Sequence, residues 1–231
     1  MVDDFLEAIQ RPISSPRLHS YGTPSDELAT KLLNYFWNIE LSQAFYPLLQ
    51  AYEVALHNTI HHTLSDHFET EWWFDLPQVL GQDQLETVAE AKADLERKNK
   101  ILTSGRLVAE LMFGFWTSLL NRPFEEPLWH TGRPILLLSA FPNLPKHRRT
   151  LRAVYDRTQL ANTLRNRIFH YEPIWNRPTL QADHDHILEA LGWISTEIHE
   201  AVTFYDRFND VYGRGSDRSR QALWHHLDLE P

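Results

Sequence analysis

Apolar residues recur every three or four positions in one long segment after another, and this spacing restricts the fold more than any other feature of the chain. It places apolar side chains on one face of an α-helix, whereas a half-buried strand needs strict alternation. Segments with the helical spacing cover residues 24–36, 40–68, 82–100, 104–119, 148–171, 181–205 and 217–227. The sequence therefore predicts an all-α protein.

The remaining residues suggest how these helices are organised. Residues 1–23 contain Pro12, Pro16 and Gly22 and are predicted to be a mostly irregular lead-in with at most one turn of helix over residues 3–9. Residues 24–210 form the main helical domain, and residues 211–231 hold one last short helix. A hydrophobic content of 42% in 231 residues is ample for a packed core.

Composition excludes several classes of site. The chain has no cysteine, so disulfides and thiolate chemistry are absent, and a metal would need His, Asp or Glu ligands. Its longest apolar run, Ile135–Leu138, is far shorter than a membrane span, and its first residues do not show the basic and apolar regions of a leader peptide, so we expect none. We expect a cytoplasmic protein without a membrane partner and without a cofactor.

Charge is distributed unevenly along an acidic chain. The net charge is −9, yet the segment from Lys146 to Arg177 carries +6 and the rest carries −15. A phosphate-binding cleft is favoured over a merely solvated arginine face, because this segment also contains the motif described next. The candidate RNA-binding residues in it are Arg148, Arg149, Arg152 and Arg167.

The motif lies at the end of the helix predicted over residues 148–171. Pro173 disfavours helical geometry at Glu172, so the helix should end near His170 or Tyr171. Asn166 and His170 are four positions apart and share a face. Arg165 lies roughly 140° from His170 around the axis, so its long side chain must reach around the helix. If two such helices faced each other across a two-fold axis, the Arg165 and His170 side chains of both subunits would lie in one cleft.

These residue types permit phosphodiester cleavage without a metal. The Arg165 guanidinium can bind phosphate oxygens, and the His170 imidazole can exchange a proton with a ribose 2′-hydroxyl or a leaving oxygen. Asn166 can fix the imidazole tautomer or hold a phosphate oxygen. The alternative is a surface helix whose final histidine interacts favourably with the helix dipole.

The segment Arg165-Asn166-x-x-x-His170 resembles the Arg-x(4–6)-His motif of the HEPN superfamily, specifically its Abi-like (abortive infection) branch. Further segments resemble that branch in order and extend the resemblance over roughly residues 10–205; they are Ile13–Leu18, Trp37-Asn38 with Leu41-Ser42, Glu53–Asn58, Phe113–Trp116 and Leu128-Trp129. Two positions differ from the family pattern. His57 stands where an arginine is expected, and Tyr171 stands where a second histidine is common.

The resemblance implies a HEPN-like helical bundle with additional helices, and a homodimer with facing motif helices. It also implies metal-independent RNA cleavage in phage defence or beside an antitoxin protein, with Arg165 and His170 as the catalytic pair and Asn166 as their polar support. The family pattern would let Arg17 fold back onto the site, although the sequence alone favours an ordinary loop arginine. The alternative function is a non-catalytic helical module that binds RNA or a protein partner.

A second candidate site is the polar face formed by Glu53, His57 and His61, which recur every four residues. A His-x-x-x-His pair on a helix can bind a metal, but this one lacks the glutamate of a zinc hydrolase. A polar core network or a face lining the RNA cleft is favoured instead. Residues 183–186 resemble a metal cluster only in composition, because consecutive helical residues point in different directions.

Overall fold

The computed structural model describes residues 2–132 and 135–226, with side chains for residues 5–132 and 135–225. These residues form helices and no strands, which confirms the predicted all-α class. The α-helices are α1 (Val2–Ile13), α2 (Ser15–Leu18), α3 (Leu28–Phe68), α4 (Gln82–Arg97), α5 (Ser104–Glu110), α6 (Phe113–Ser118), α7 (Leu136–Ala140), α8 (Leu151–Phe169), α9 (Leu180–Ile194), α10 (Thr196–Tyr205), α11 (Phe208–Arg214) and α12 (Asp217–His226). Among these residues, no helix combines the length and apolar character needed to cross a membrane.

Helix α3 joins two segments that the sequence pattern suggested were separate. It contains 41 residues and includes Pro47, which removes only one main-chain donor from the helical hydrogen bonds. Phe45 and Leu48 on either side of this proline are buried. The Asp26 carboxylate accepts a hydrogen bond from the Thr23 N–H at 2.6 Å, so this segment forms a turn before the helix begins.

Two segments predicted as single helices are divided. Leu111 and Met112 adopt extended backbone conformations between α5 and α6, and the Trp116 indole donates to the Leu111 carbonyl across this break at 3.2 Å. The Ser195 Oγ accepts the Ile198 N–H at 3.3 Å, so this serine caps α10 and separates it from α9. A periodic apolar pattern continues through both breaks, which is why the sequence did not indicate them.

The expected irregular lead-in at residues 1–23 is wrong, because helices α1 and α2 form there. Leu6 and Leu18 are buried against Leu32 of α3, and Leu223 of α12 packs on the same cluster. Apolar residues at helical spacing therefore outweigh the prolines. The short C-terminal helix is present as α12, while positions 227–231 lie outside the described residues.

The chain divides into two compact units. The first comprises residues 1–47, 164–184 and 205–231, and the second comprises residues 48–163 and 185–204. In the first unit, the Phe208 ring lies 4.7 Å from Phe45 and stacks 4.3 Å from His184. In the second unit, the Tyr52 and Thr158 hydroxyls are 2.7 Å apart and join α3 to α8.

Candidate functional site

The predicted motif lies where α8 ends, in the first unit. Leu164 and Ile168 are buried and fix the apolar face of the helix. Asn166 and His170 are exposed, and Arg165 is half-buried. The His170 main-chain N–H donates to the Asn166 carbonyl at 2.9 Å, so His170 follows directly on the last helical turn. The imidazole is therefore accessible to a solute.

The Arg165 guanidinium is positioned by its neighbours on the helix. Its carbon lies 4.8 Å from the centre of the Phe169 ring, and its Nη1 donates to the Asn166 Oδ1 at 3.4 Å. A guanidinium stacked on an aromatic ring keeps its planar set of donors. Arg165 and Asn166 therefore act as one polar group one turn before His170.

The turn after α8 contains a strained residue. The Tyr171 N–H donates to the Ile168 carbonyl at 3.0 Å, and the Glu172 N–H donates to the Arg167 carbonyl at 2.7 Å. These two bonds form the Schellman motif that ends many helices, in which glycine usually takes the left-handed position. Here Tyr171 takes it, with φ of 58°. Strain of this kind often occurs at functional sites.

Arg167 holds the same turn in place. Its Nη2 donates to the Pro173 carbonyl at 2.8 Å, and its Nη1 lies 3.4 Å from the Glu172 carboxylate. The side chain is only 35% exposed. These contacts give Arg167 a structural role, and its binding of RNA stays a prediction.

Arg17 is brought to the motif from the other end of the sequence. Its Nη1 donates to the Tyr171 carbonyl at 2.6 Å. It also lies beside the Tyr21 hydroxyl, whose pKa is raised by burial although the arginine charge opposes this shift. No carboxylate among the described residues forms a salt bridge with Arg17. The sequence alone favoured an ordinary loop position for Arg17. In the structure, Arg17 instead contacts the motif turn.

Asn38 belongs to the Trp37-Asn38 segment of the family resemblance, which gave it no role, and the structure makes it a positioning residue. It is 4% exposed on α3, and its Oδ1 accepts the N–H groups of Ile174 at 2.7 Å and Trp175 at 3.1 Å. Its Nδ2 lies 3.4 Å from the Tyr21 hydroxyl. A polar residue within an apolar helical face was the only sequence signal for this role. Asn38 therefore fixes the chain that follows the motif turn.

A groove with a volume of ≈ 850 Å³ adjoins the motif turn. It lies between α1, α2, α3 and the end of α8, and all of its lining residues belong to the first unit. Its aromatic residues include Tyr46, Phe169 and Tyr171. Among the described residues that line it, Arg17 is the one basic residue and none is Asp or Glu, although the chain contains 31 acidic residues.

The other predicted RNA-binding arginines lie in the second unit and make internal contacts. Arg148 Nη1 donates to the Glu189 carboxylate at 2.9 Å, and Arg152 lies 2.8 Å from the Asp156 carboxylate. Arg149 Nε donates to the Leu144 carbonyl at 3.3 Å. Asp156 is already included in the count of +6, whereas Glu189 is a carboxylate from outside the Lys146–Arg177 segment that offsets the Arg148 charge.

The second candidate site proves to be mostly an aromatic environment. The His61 Nδ1 accepts the Trp73 indole N–H at 3.1 Å, and the imidazole stacks 5.7 Å from Phe74. The His57 ring packs edge-on against Trp116. Burial lowers the pKa of both histidines, and the His61 charge lowers that of His57 further. Among the described residues, no three His, Cys, Asp or Glu side chains are grouped so that they could hold a metal ion.

Residues 183 and 184 are buried structural groups. The Asp183 Oδ2 accepts hydrogen bonds from Arg177 at 2.8 and 3.1 Å and from the Thr179 hydroxyl at 3.0 Å. The His184 Nε2 lies 2.9 Å from the Asp206 carboxylate. Burial raises the Asp206 pKa, but hydrogen bonds from His184 and a backbone N–H bring it below its usual value.

No protein-family model, no curated protein and no solved structure matches this chain.

Proposed function

We propose that the chain is a metal-independent endoribonuclease of the HEPN type. In this reaction the His170 imidazole takes the proton of a ribose 2′-hydroxyl, and the 2′-oxygen attacks the adjacent phosphorus. The bond from phosphorus to the 5′-oxygen breaks, and that oxygen leaves with a proton from an imidazolium or from water. The products are a 2′,3′-cyclic phosphate and a 5′-hydroxyl end. Arg165 stabilises the added negative charge on the phosphorane.

The exposed imidazole of His170, one turn beyond the paired Arg165 and Asn166, is the observation that supports this proposal most directly. Histidine is the side chain that general acid–base catalysis near neutral pH uses most often, and the proposal assigns this proton transfer to His170. The Arg17 guanidinium adds a second cation at the same turn. Proton transfer and charge stabilisation are thus available within one short segment.

The proposal includes a homodimer in which the motif helices of two subunits face each other across a shared RNA cleft. Asn166, Phe169, His170 and Tyr171 are exposed at the end of α8, so this surface is accessible to a second subunit. Action in phage defence, and control by an antitoxin protein, are the settings that the Abi-like resemblance implies.

RNA cleavage in the presence of a chelator tests the mechanism. We expect the wild type to cleave, and His170→Ala and Arg165→Ala each to lose about 10²-fold or more in rate. The exposed residues His147 and Arg218 supply the matched controls His147→Ala and Arg218→Ala, which should keep wild-type rates. Mixing the two inactive variants should restore partial activity if each cleft combines Arg165 of one subunit with His170 of the other.

Other outcomes of this experiment would replace the proposal. Equal cleavage by all variants, or loss of cleavage with the chelator, would contradict the mechanism. Salt-dependent RNA binding without turnover, unaffected by His170→Ala but weakened by changes at Arg148, Arg149 and Arg152, would instead identify a non-catalytic binding module.

A further inference from the structure

We propose that the groove beside the motif turn is a nucleotide subsite, in which a nucleobase packs against Tyr46 and Tyr171 and its phosphate binds Arg17. The inference rests on the proposed function at one point, which is that this nucleotide is a unit of the RNA substrate. A free nucleotide also carries a base and a phosphate and would bind in the same way. The groove volume of ≈ 850 Å³ lies within the range of about 300–1,000 Å³ that is typical of small-molecule sites.

The charge of the groove favours an anionic ligand. Arg17 donates to the neutral Tyr171 carbonyl and lies beside the Tyr21 hydroxyl, and none of the described residues that line the groove is a carboxylate that could neutralise it. Several other arginines, including Arg148, Arg152 and Arg177, are instead paired with carboxylates. A guanidinium with a fixed position and an uncompensated charge is suited to a phosphate group.

The aromatic residues of the groove favour a planar partner for that phosphate. Tyr46 is 48% exposed and Tyr171 is 75% exposed, and the Tyr46 ring lies 6.1 Å from that of Phe169. Large aromatic side chains are costly to leave in water, and bases stack on such rings in proteins that bind single strands. Base stacking requires an unpaired nucleotide, so the groove would select unpaired positions in an RNA.

The position of the groove connects this subsite to the proposed chemistry. Phe169 and Tyr171 line the groove, and they are the chain neighbours of His170 on either side. The Tyr171 backbone links the groove to the motif turn, because the Tyr171 carbonyl accepts the hydrogen bond from Arg17. A nucleotide held in the groove would therefore contact the two residues that flank His170 in the chain.

Fluorescence anisotropy with a short labelled single-stranded RNA tests the subsite. The His170→Ala variant serves as the background, so that the probe stays intact. We expect Tyr46→Leu to weaken binding about tenfold, as loss of one base–aromatic stack does. Arg17→Gln, which keeps a donor for the Tyr171 carbonyl, should lower the salt dependence by about 0.7 in the slope of log K against log salt. Tyr205→Leu and Arg218→Gln, both at exposed positions outside the groove, are the matched controls.

The outcomes separate this inference from the nuclease proposal. Unchanged RNA affinity in Tyr46→Leu, with circular dichroism showing a folded protein, would overturn the subsite even if the wild type cleaves RNA. Groove-dependent binding without cleavage would support the subsite and contradict the nuclease. Titration with adenosine and uridine monophosphates shows whether the ligand is RNA or a free nucleotide. If a free nucleotide binds tightly and Tyr46→Leu weakens its binding, the subsite is supported and its ligand is the free nucleotide. A wild type that binds neither RNA nor these nucleotides would overturn the inference.

Discussion

Tyr171 combines a strained backbone with a place in both the motif turn and the groove. Its φ of 58° belongs to the left-handed region, where an L-residue with a Cβ costs about 1 kcal/mol or more. The Schellman hydrogen bonds and the Arg17 contact hold it there. A glycine would meet the backbone requirement without strain, but it would remove the exposed ring from the groove.

Substitutions at Tyr171 can separate strain from the role of the ring. We expect Tyr171→Gly to be about 1 kcal/mol more stable than Tyr171→Ala, because both lack the ring but only alanine retains a Cβ in the left-handed conformation. Urea unfolding of the two variants measures the difference. A Tyr171→Ala protein as stable as Tyr171→Gly would show that this backbone position is not strained.

The end of α8 close to His170 followed from local patterns, since Pro173 marks the helix end. The roles of Arg17 and Asn38 could not be predicted in this way. Their partners lie 154 and 136 residues away along the chain, and a single sequence carries no local signal for such contacts. Tyr171 was noted only as a departure from the family pattern, because a left-handed tyrosine has no sequence signature.

Some helix boundaries are determined by neighbouring residues in the sequence and others by distant contacts. The ends of α4 and α8 lie close to the predicted positions, because breakers and caps act within a few residues. The sequence did not predict that the segments 24–36 and 40–68 form one helix, α3. This helix continues through Pro47, where burial of the neighbouring residues outweighs one lost hydrogen bond. In the segment after α8, the chain has no regular structure of its own, and Asn38 supplies the acceptor for two of its N–H groups.

Removing that acceptor should destabilise the segment. We expect Asn38→Ala to lower the free energy of unfolding by about 2–3 kcal/mol, because two buried N–H groups lose their partner. Amide hydrogen exchange should accelerate at Ile174 and Trp175. The control is Asn34→Ala on the same helix, which removes a single hydrogen bond to the Tyr21 carbonyl and should cost about 1 kcal/mol. Equal losses in the two variants would contradict the assigned role of Asn38.

The response of the protein to acid follows from the buried histidines of the second unit. Burial keeps the pKa values of His57 and His61 below their usual range, and the charge of His62 lowers that of His61 further. The unfolded chain therefore binds more protons than the folded protein once the pH falls below about 6.5. The neutral His61 also accepts the Trp73 hydrogen bond, which protonation of Nδ1 would remove.

We expect the free energy of unfolding to decrease as the pH falls from about 7 toward the lowered histidine pKa values, and the decrease to be smaller in His61→Gln. Urea unfolding followed by tryptophan fluorescence at several pH values measures this dependence. The exposed His225 gives a matched control, His225→Gln, which should follow the wild type. A His61→Gln curve parallel to that of the wild type would contradict the assignment.

The first unit is assembled from three distant stretches of sequence, residues 1–47, 164–184 and 205–231. Contacts such as Trp37 with Val211, and Leu223 with the Leu6 cluster, close loops of well over a hundred residues, which slows folding. During synthesis, α1 and α2 must wait for α11 and α12 to emerge from the ribosome before their common core can form. A nascent chain would therefore lack a complete first unit until residues 205–231 have been made, so the nuclease activity proposed above would be expected only after synthesis ends.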